Sequence, residues 1–230
     1  MIGIILILLL SWVLLRFTIK QPLSVLGYSP MILRLRQFGV SLLIGLAVCV
    51  VVKWTGSFIT SAGWEMNSSY GWSQLFSAGW WSLKSVWFEE LLFRGALLVL
   101  LIRWLGVRWG IVLSSVSFGA YHWFSYGLFG NIPAMIIVFA TTFMMGLVWA
   151  YAYAASGSVA IAAGSHLGWN VTTAILFSDG PLGNQLLIPV KGADYTPLTG
   201  LPSLFFFIAS NIALPLILFI WIKYRVPARQ

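Results

Sequence analysis

The chain has 230 residues, of which 60% are hydrophobic and 8% are charged, and its mean hydropathy is +0.94. Soluble domains contain roughly 45–50% apolar and about 25% charged residues, so the composition excludes an ordinary soluble domain and indicates a polytopic membrane protein. The net charge of +8 comes from basic residues dispersed between apolar segments. This dispersal is typical of loops that orient membrane helices, so we expect the lipid bilayer as a partner and no nucleic acid.

Seven apolar segments are long enough to cross a bilayer, because a membrane helix needs about 20 mostly apolar residues. In chain order they are residues 2–19, 38–57, 84–105, 109–126, 132–154, 158–178 and 202–222. The stretch 68–83 is more polar, and we interpret it as an interfacial or re-entrant helix or as an eighth span. Gly and Pro residues predict a loop over 179–201. The sequence therefore predicts an all-α, polytopic bundle of seven or eight transmembrane helices, with residues 1–230 as a single membrane domain.

The first segment has no basic residues before it and no small-residue cleavage site, which favours a retained helix over a signal peptide. With seven spans, nine Lys and Arg residues fall on one side of the membrane and three on the other. The nine are Arg16, Lys20, Arg34, Arg36, Arg103, Arg108, Lys223, Arg225 and Arg229, and the three are Lys53, Lys84 and Lys191. This asymmetry predicts a cytoplasmic C-terminus. The short loops and the lack of a targeting signal indicate the plasma (inner) membrane of a bacterium.

Two of the five acidic residues, Glu89 and Glu90, lie side by side within an apolar run. An ionisable side chain inside a membrane helix costs about 2.5–3.5 kcal/mol on insertion scales, so such residues need partners. On a helix Glu90 can pair with Arg94 at i,i+4, whereas Glu89 is turned by about 100° and needs a partner from another helix. This motif alone leaves both a structural and a functional role open.

Both histidines of the chain, His122 and His166, also lie in apolar segments. A lone buried histidine is more often bonded to a carbonyl than used as a ligand, so neither is decisive by itself. His166 and Asn170 are i,i+4 neighbours and share one helix face. Small residues recur every four positions before and along this helix and favour close helix packing; they are Ser156, Ala160, Gly164 and Gly168.

Three motifs occur in a fixed order: Glu-Glu-x-x-x-Arg at 89–94, Phe-x-x-x-His at 118–122 and His-x-x-x-Asn at 166–170. In this order they resemble the motifs of the CPBP family of intramembrane proteases, which includes CAAX prenyl endopeptidases and the bacterial Abi or bacteriocin-processing proteins. The resemblance covers about residues 84–178, which would form the catalytic core. It implies an all-helical membrane core whose cavity is lined by Glu89, His122, His166 and Asn170, with Glu90 and Arg94 completing the first motif.

The resemblance implies an endopeptidase that hydrolyses a peptide bond of a membrane-associated protein or peptide. Hydrolysis needs an activated water and a stabilised oxyanion. We expect Glu89 and His122 to orient and deprotonate the water, and His166 and Asn170 to donate hydrogen bonds to the oxyanion. The alternative is a Zn²⁺ ion held by Glu89, His122 and His166, which would lower the pKa of its bound water. Cys49 is the single cysteine, which excludes a disulfide within the chain and a Cys-based zinc site.

Two other interpretations remain from the sequence: a non-catalytic scaffold or bacteriocin-immunity protein, and a proton-coupled transporter. Transporters also keep intramembrane acids and histidines, but the inverted repeats that many of them show are not evident here. The two aspartates, Asp179 and Asp194, fall in one predicted loop, which excludes an intramembrane aspartyl pair. In the seven-span topology Glu89, His122 and Asn170 lie toward the outer half of the bilayer.

Overall fold

A computed structural model describes residues 2–177 and 185–226, which form a mostly helical protein. Its seven α-helices are α1 (Ile2–Thr18), α2 (Met31–Thr60), α3 (Trp72–Phe93), α4 (Ala96–Ser125), α5 (Ile132–Ser156), α6 (Ala160–Val171) and α7 (Gly200–Arg225). A short 3₁₀ turn precedes α2, and a π-helical turn follows α6. Two strands complete the fold, β1 (Ala62–Met66) and β2 (Leu187–Lys191). Asp179, the first part of the predicted loop 179–201 and Arg229 lie outside the described residues.

Among the described residues, four helical stretches are long and apolar enough to cross a membrane, which supports a multi-pass membrane protein. They are Leu23–Thr60, Trp72–Ser125, Ile132–Ser156 and Gly200–Arg225. The predicted count of seven or eight spans is not confirmed, because α1 has 17 residues and α6 has 12. Both fall short of the roughly 20 residues that a span needs.

The polar stretch 68–83 and the predicted span 84–105 do not form separate units. Helix α3 begins at Trp72 and runs without a break to Phe93, so the polar stretch leads directly into the helix that carries the acidic pair. Helix α3 ends at Phe93, and the turn that follows needs glycine at position 95, since a Cβ there would clash with the Leu91 carbonyl. The following helix, α4, bends sharply at Gly106, whose φ of 80° favours glycine. The expected boundary between 105 and 109 is therefore a kink inside α4.

Helix α6 is a core helix that packs along α2 and is buried from Ala160 to Gly168. The close approach depends on glycine, because a Cβ at Gly164 or at Gly168 would collide with backbone carbonyls of α2, those of Phe38 and Leu42. The predicted stripe of small residues thus serves helix packing, and it brings the helix that bears His166 into the centre of the bundle.

The expectation of a purely helical protein is wrong in one respect, because β1 and β2 form an antiparallel two-stranded sheet. Ala62 pairs with Lys191, and Met66 pairs with Leu187. The partners are more than 120 residues apart in the chain, so no hairpin signal could reveal the pairing. We call this side of the molecule the sheet end.

At the opposite side, which we call the basic end, Arg34 donates a hydrogen bond to the Ser156 carbonyl at 3.0 Å. Arg103 and Gln21 line a common cleft there. Lys53 and Lys191, by contrast, line a cleft at the sheet end. Arg34 and Arg103 therefore lie at one end of the molecule, and Lys53 and Lys191 lie at the other. The seven-span topology divides these four residues between the two sides of the membrane in the same way.

The glycine contacts between α2 and α6 give a matched test within α2. A Cβ at Gly45 would collide with the Ser165 carbonyl, next to His166, whereas a Cβ at Gly39 meets no atom within 4 Å. We expect Gly45→Ala to destabilise the protein by about 1–3 kcal/mol through overpacking. Gly39→Ala should be neutral or stabilising by about 0.5–1 kcal/mol, because alanine favours helix. Thermal unfolding of both variants in detergent measures the difference, and equal midpoints would contradict the packing argument.

Candidate active site

The site is centred on a buried ion pair at the last turn of α3. Glu90 and Arg94 are both fully buried, and Arg94 Nη1 donates to Glu90 Oε1 at 3.2 Å. The same carboxylate oxygen lies 2.8 Å from Nδ1 of His166 on α6. The predicted i,i+4 pair is therefore present, and it extends to a residue 76 positions away.

Glu89 lies beside this pair and faces both histidines. Its Oε2 is 4.0 Å from Nε2 of His122 and 3.9 Å from Nε2 of His166. All three side chains are buried, with residue exposures of 8%, 6% and 5% in the order Glu89, His122 and His166. Three helices thus bring one carboxylate oxygen and two imidazole nitrogens together, at separations that leave room for a small molecule such as water.

Each imidazole is oriented by a hydrogen bond at its other nitrogen. His122 Nδ1 lies 2.8 Å from the Phe118 carbonyl, one turn earlier in α4, so Nδ1 carries the proton and donates. His166 Nδ1 donates to the Glu90 carboxylate in the same way. As a result, the Nε2 atoms of both rings are directed at Glu89.

Aromatic rings enclose the polar cluster. Trp149 of α5 stacks on the His166 ring with centroids 4.2 Å apart, and the Arg94 guanidinium lies 4.1 Å from the Phe118 ring centroid. Glu90 Oε2 and Arg94 Nε and Nη2 are buried without a hydrogen-bond partner among the described residues. Contact with the electron-rich ring faces offsets part of the cost of burying the guanidinium.

A cleft of about 290 Å³ connects Glu89 to the surface of the bundle. Ser85, one turn before Glu89, donates its hydroxyl to Glu89 Oε1 at 3.0 Å and so holds the carboxylate from the cleft side. The other residues that line the cleft come from α1, α3 and α4; they are Gly3, Ile4, Trp81, Lys84, Phe88 and Tyr121. The cleft therefore reaches Glu89 laterally, between helices.

Asn170 is the predicted site residue that the structure does not join to the cluster. It is half-buried, one turn beyond His166 on α6. No hydrogen bond connects its side-chain amide to the carboxylates or imidazoles in the described part of the chain, and its backbone carbonyl accepts from Thr173 Oγ1 at 3.2 Å. Its position next to His166 agrees with the shared helix face, but its contact with a substrate stays a prediction.

Sequence reasoning missed two residues of the site, Ser85 and Trp149. The i,i−4 spacing from Glu89 could have revealed Ser85. No local pattern distinguishes Trp149 from the other aromatic residues of an apolar helix. The sequence also gives no distance between Glu89 and the histidines, and the structure places the two imidazoles at nearly equal distances from this carboxylate.

Comparison with protein families gives one match: the model described as type II CAAX prenyl endopeptidase Rce1-like matches residues 71–172. The matched range spans α3 to α6 and contains both carboxylates, Arg94, both histidines and Asn170. Neither a curated protein nor a solved structure matches the chain significantly.

The buried ion pair predicts an asymmetric response to mutation. Arg94→Met leaves the Glu90 carboxylate buried without its cation, which we expect to destabilise the protein by about 3–5 kcal/mol. The double variant Glu90→Gln/Arg94→Met removes both charges and keeps an acceptor for His166, so it should recover a large part of this loss. Thermal unfolding in detergent measures both effects. Arg103→Met, at an exposed position of α4, is the control, and a loss as large as that of Arg94→Met would contradict the assignment.

Proposed function

We propose that this chain, which matches the Rce1-like model of type II CAAX prenyl endopeptidases over residues 71–172, is an intramembrane endopeptidase with Glu89 as its general base. The observation that carries the proposal is the meeting of Glu89 Oε2 with two imidazole Nε2 atoms at 4.0 and 3.9 Å. A water molecule placed between these atoms can hydrogen-bond to the carboxylate and to an imidazole at ordinary distances. The family implies a peptidase, and this geometry supplies a chemical route for it.

In the proposed reaction, the water donates one hydrogen bond to Glu89 Oε2 and one to His122 Nε2. Its oxygen attacks the carbonyl carbon of the substrate peptide bond while Glu89 accepts the proton. The carbonyl π electrons move to the oxygen, which becomes the oxyanion of a tetrahedral intermediate. When the C–N bond breaks, the protonated Glu89 donates this proton to the leaving amine, and the second product is a carboxylic acid.

The oxyanion needs hydrogen-bond donors, and His166 and Asn170 are the proposed ones. A doubly protonated His166 would donate from Nδ1 to Glu90 and from Nε2 to the oxyanion. The charges of His166 and Arg94 would then balance those of Glu89 and Glu90, which suits a site closed off by aromatic rings. The Asn170 amide, one turn further along α6, would approach the oxyanion from the same helix.

A zinc ion is the alternative way to activate the water. Glu89, His122 and His166 offer suitable ligand atoms, but tetrahedral zinc with bonds of about 2.0–2.1 Å would hold its ligand atoms about 3.3 Å apart. The two separations from the Glu89 carboxylate are wider, at 3.9 and 4.0 Å, and they suit a bridging water. We therefore propose that the carboxylate and an imidazole activate the water without a metal ion.

The proposed substrate is a peptide or a segment of a membrane protein, because the cleft beside Glu89 opens between helices α1, α3 and α4. We further propose the plasma membrane of a bacterium as the location, with the basic end and the C-terminus in the cytoplasm, on the basis of the Lys and Arg asymmetry. In this orientation the sheet end faces outward. The non-catalytic alternatives, a scaffold or a transporter, gain no support from the family match.

Substitution of the general base tests the peptidase directly. We expect Glu89→Gln to reduce the cleavage rate by about 10²–10⁴-fold, because the amide cannot accept a proton from water. The measurement is mass-spectrometric detection of products from a peptide library incubated with the protein in liposomes, and of membrane and secreted peptides from cells that carry either form. The control is Glu65→Gln, which changes an exposed carboxylate on strand β1. Unchanged cleavage by Glu89→Gln would rule out this mechanism and favour the scaffold.

The zinc alternative makes the opposite prediction about chelation. If water is activated by Glu89 and His122 alone, the cleavage rate should stay within about twofold after exhaustive dialysis against EDTA and 1,10-phenanthroline, because no Lewis acid is removed. Elemental analysis of the dialysed protein should find far less than one metal ion per chain. Loss of activity that stoichiometric Zn²⁺ restores would establish the metalloprotease instead.

A further inference from the structure

A second cleft, of about 520 Å³, lies at the sheet end between α2, α7 and the two strands. Its wall includes Trp64 of β1, Trp169 of α6 and Tyr195 from the segment before α7. Aromatic residues of this kind are typical of the level where a bilayer meets water. None of the residues of the polar cluster lines this cleft, so it is separate from the proposed active site.

The residues that line the cleft include several hydrogen-bond donors. Trp64 and Ser210 are among them, and Trp64 Nε1 and Ser210 Oγ are buried without a hydrogen-bond partner among the described residues. An unsatisfied buried donor costs about 1–3 kcal/mol, which an acceptor that reached these two groups would offset. Two lysines, Lys53 and Lys191, belong to the same lining, and the Lys191 ammonium lies 4.9 Å from the centre of the Tyr195 ring.

We propose that this cleft binds the phosphate group of an anionic glycerophospholipid. A phosphate accepts several charge-assisted hydrogen bonds at once, and a Lys side chain near a membrane surface attracts an anionic headgroup by its charge. One part of the cleft wall is apolar and includes Phe206 and Phe207 of α7. This part suits the glycerol backbone and the start of the acyl chains.

The surroundings of the cleft favour a lipid over a soluble anion. The first turns of α7 expose large apolar side chains beside the opening: Leu201 is 67% exposed, Leu204 52% and Phe205 69%. These surfaces would contact acyl chains in a bilayer, and they continue directly from Phe206 and Phe207. A free phosphate would use the donors but would leave this apolar surface without a partner.

Native mass spectrometry of the full chain in detergent tests the proposal. Titration with dioleoylphosphatidylglycerol should show one tightly bound lipid, and dioleoylphosphatidylcholine should bind at least about fivefold more weakly because its headgroup carries no net charge. Lys191→Gln should raise the Kd for phosphatidylglycerol by about fivefold, since one Lys near a membrane surface contributes about 1 kcal/mol. Trp64→Phe keeps the ring but removes the N–H donor and should weaken binding in the same direction.

The matched control is Lys223→Gln at the basic end. Both lysines are exposed, and each lies over a tyrosine ring, Lys191 at 4.9 Å from Tyr195 and Lys223 at 5.5 Å from Tyr224. Thermal unfolding confirms that each variant is folded. Equal weakening by Lys191→Gln and Lys223→Gln would overturn the site, and so would equal affinity for the two lipids. Displacement of the lipid by glycerol 3-phosphate at a matched concentration would show that the ligand is a soluble phosphate and would overturn the lipid assignment.

Discussion

The buried contact of Glu90 with Arg94 and His166 is the interaction on which the rest of the site depends. In a low-dielectric interior, an isolated carboxylate or guanidinium is strongly disfavoured, so each of these groups is retained only with its partners. Glu90 shares one oxygen between Arg94 Nη1 at 3.2 Å and His166 Nδ1 at 2.8 Å. Through this oxygen, α3 fixes the ring of a residue on α6, and the direction of the His166 Nε2 atom follows from it.

The break in the chain after Arg94 makes this contact possible. Because α3 ends at Phe93 and Gly95 lets the chain turn closely, Arg94 projects from the end of a helix into the core, where Phe118 covers it. The end of a helix leaves carbonyl groups without partners. Ser114 of α4 donates to the Phe93 carbonyl at 2.8 Å, so the helix that carries His122 also stabilises the end of the helix that carries the acids.

The parts of this arrangement that could be predicted are those set by spacing along one helix. The pairing of Glu90 with Arg94 follows from their i,i+4 positions, and the resemblance of three motifs indicated which helices would meet. The contact of His166 with Glu90 could not be derived, because helix periodicity defines faces but not the register between two helices. The sheet could not be predicted for a similar reason, because its two strands lie more than 120 residues apart in the chain. The predicted number of spans is not confirmed, because α6 is short and packs along α2, and apolarity alone does not distinguish a core helix from one that crosses lipid.

Helix α6 connects the two functional proposals, since His166 and Trp169 lie three residues apart on it. His166 faces the acids of α3, while Trp169 lines the cleft between α2 and α7. Along this helix the glycines let the backbone pack against α2 with no room for an added Cβ. A lipid bound in the cleft would therefore contact the same closely packed helix that carries an imidazole of the proposed active site.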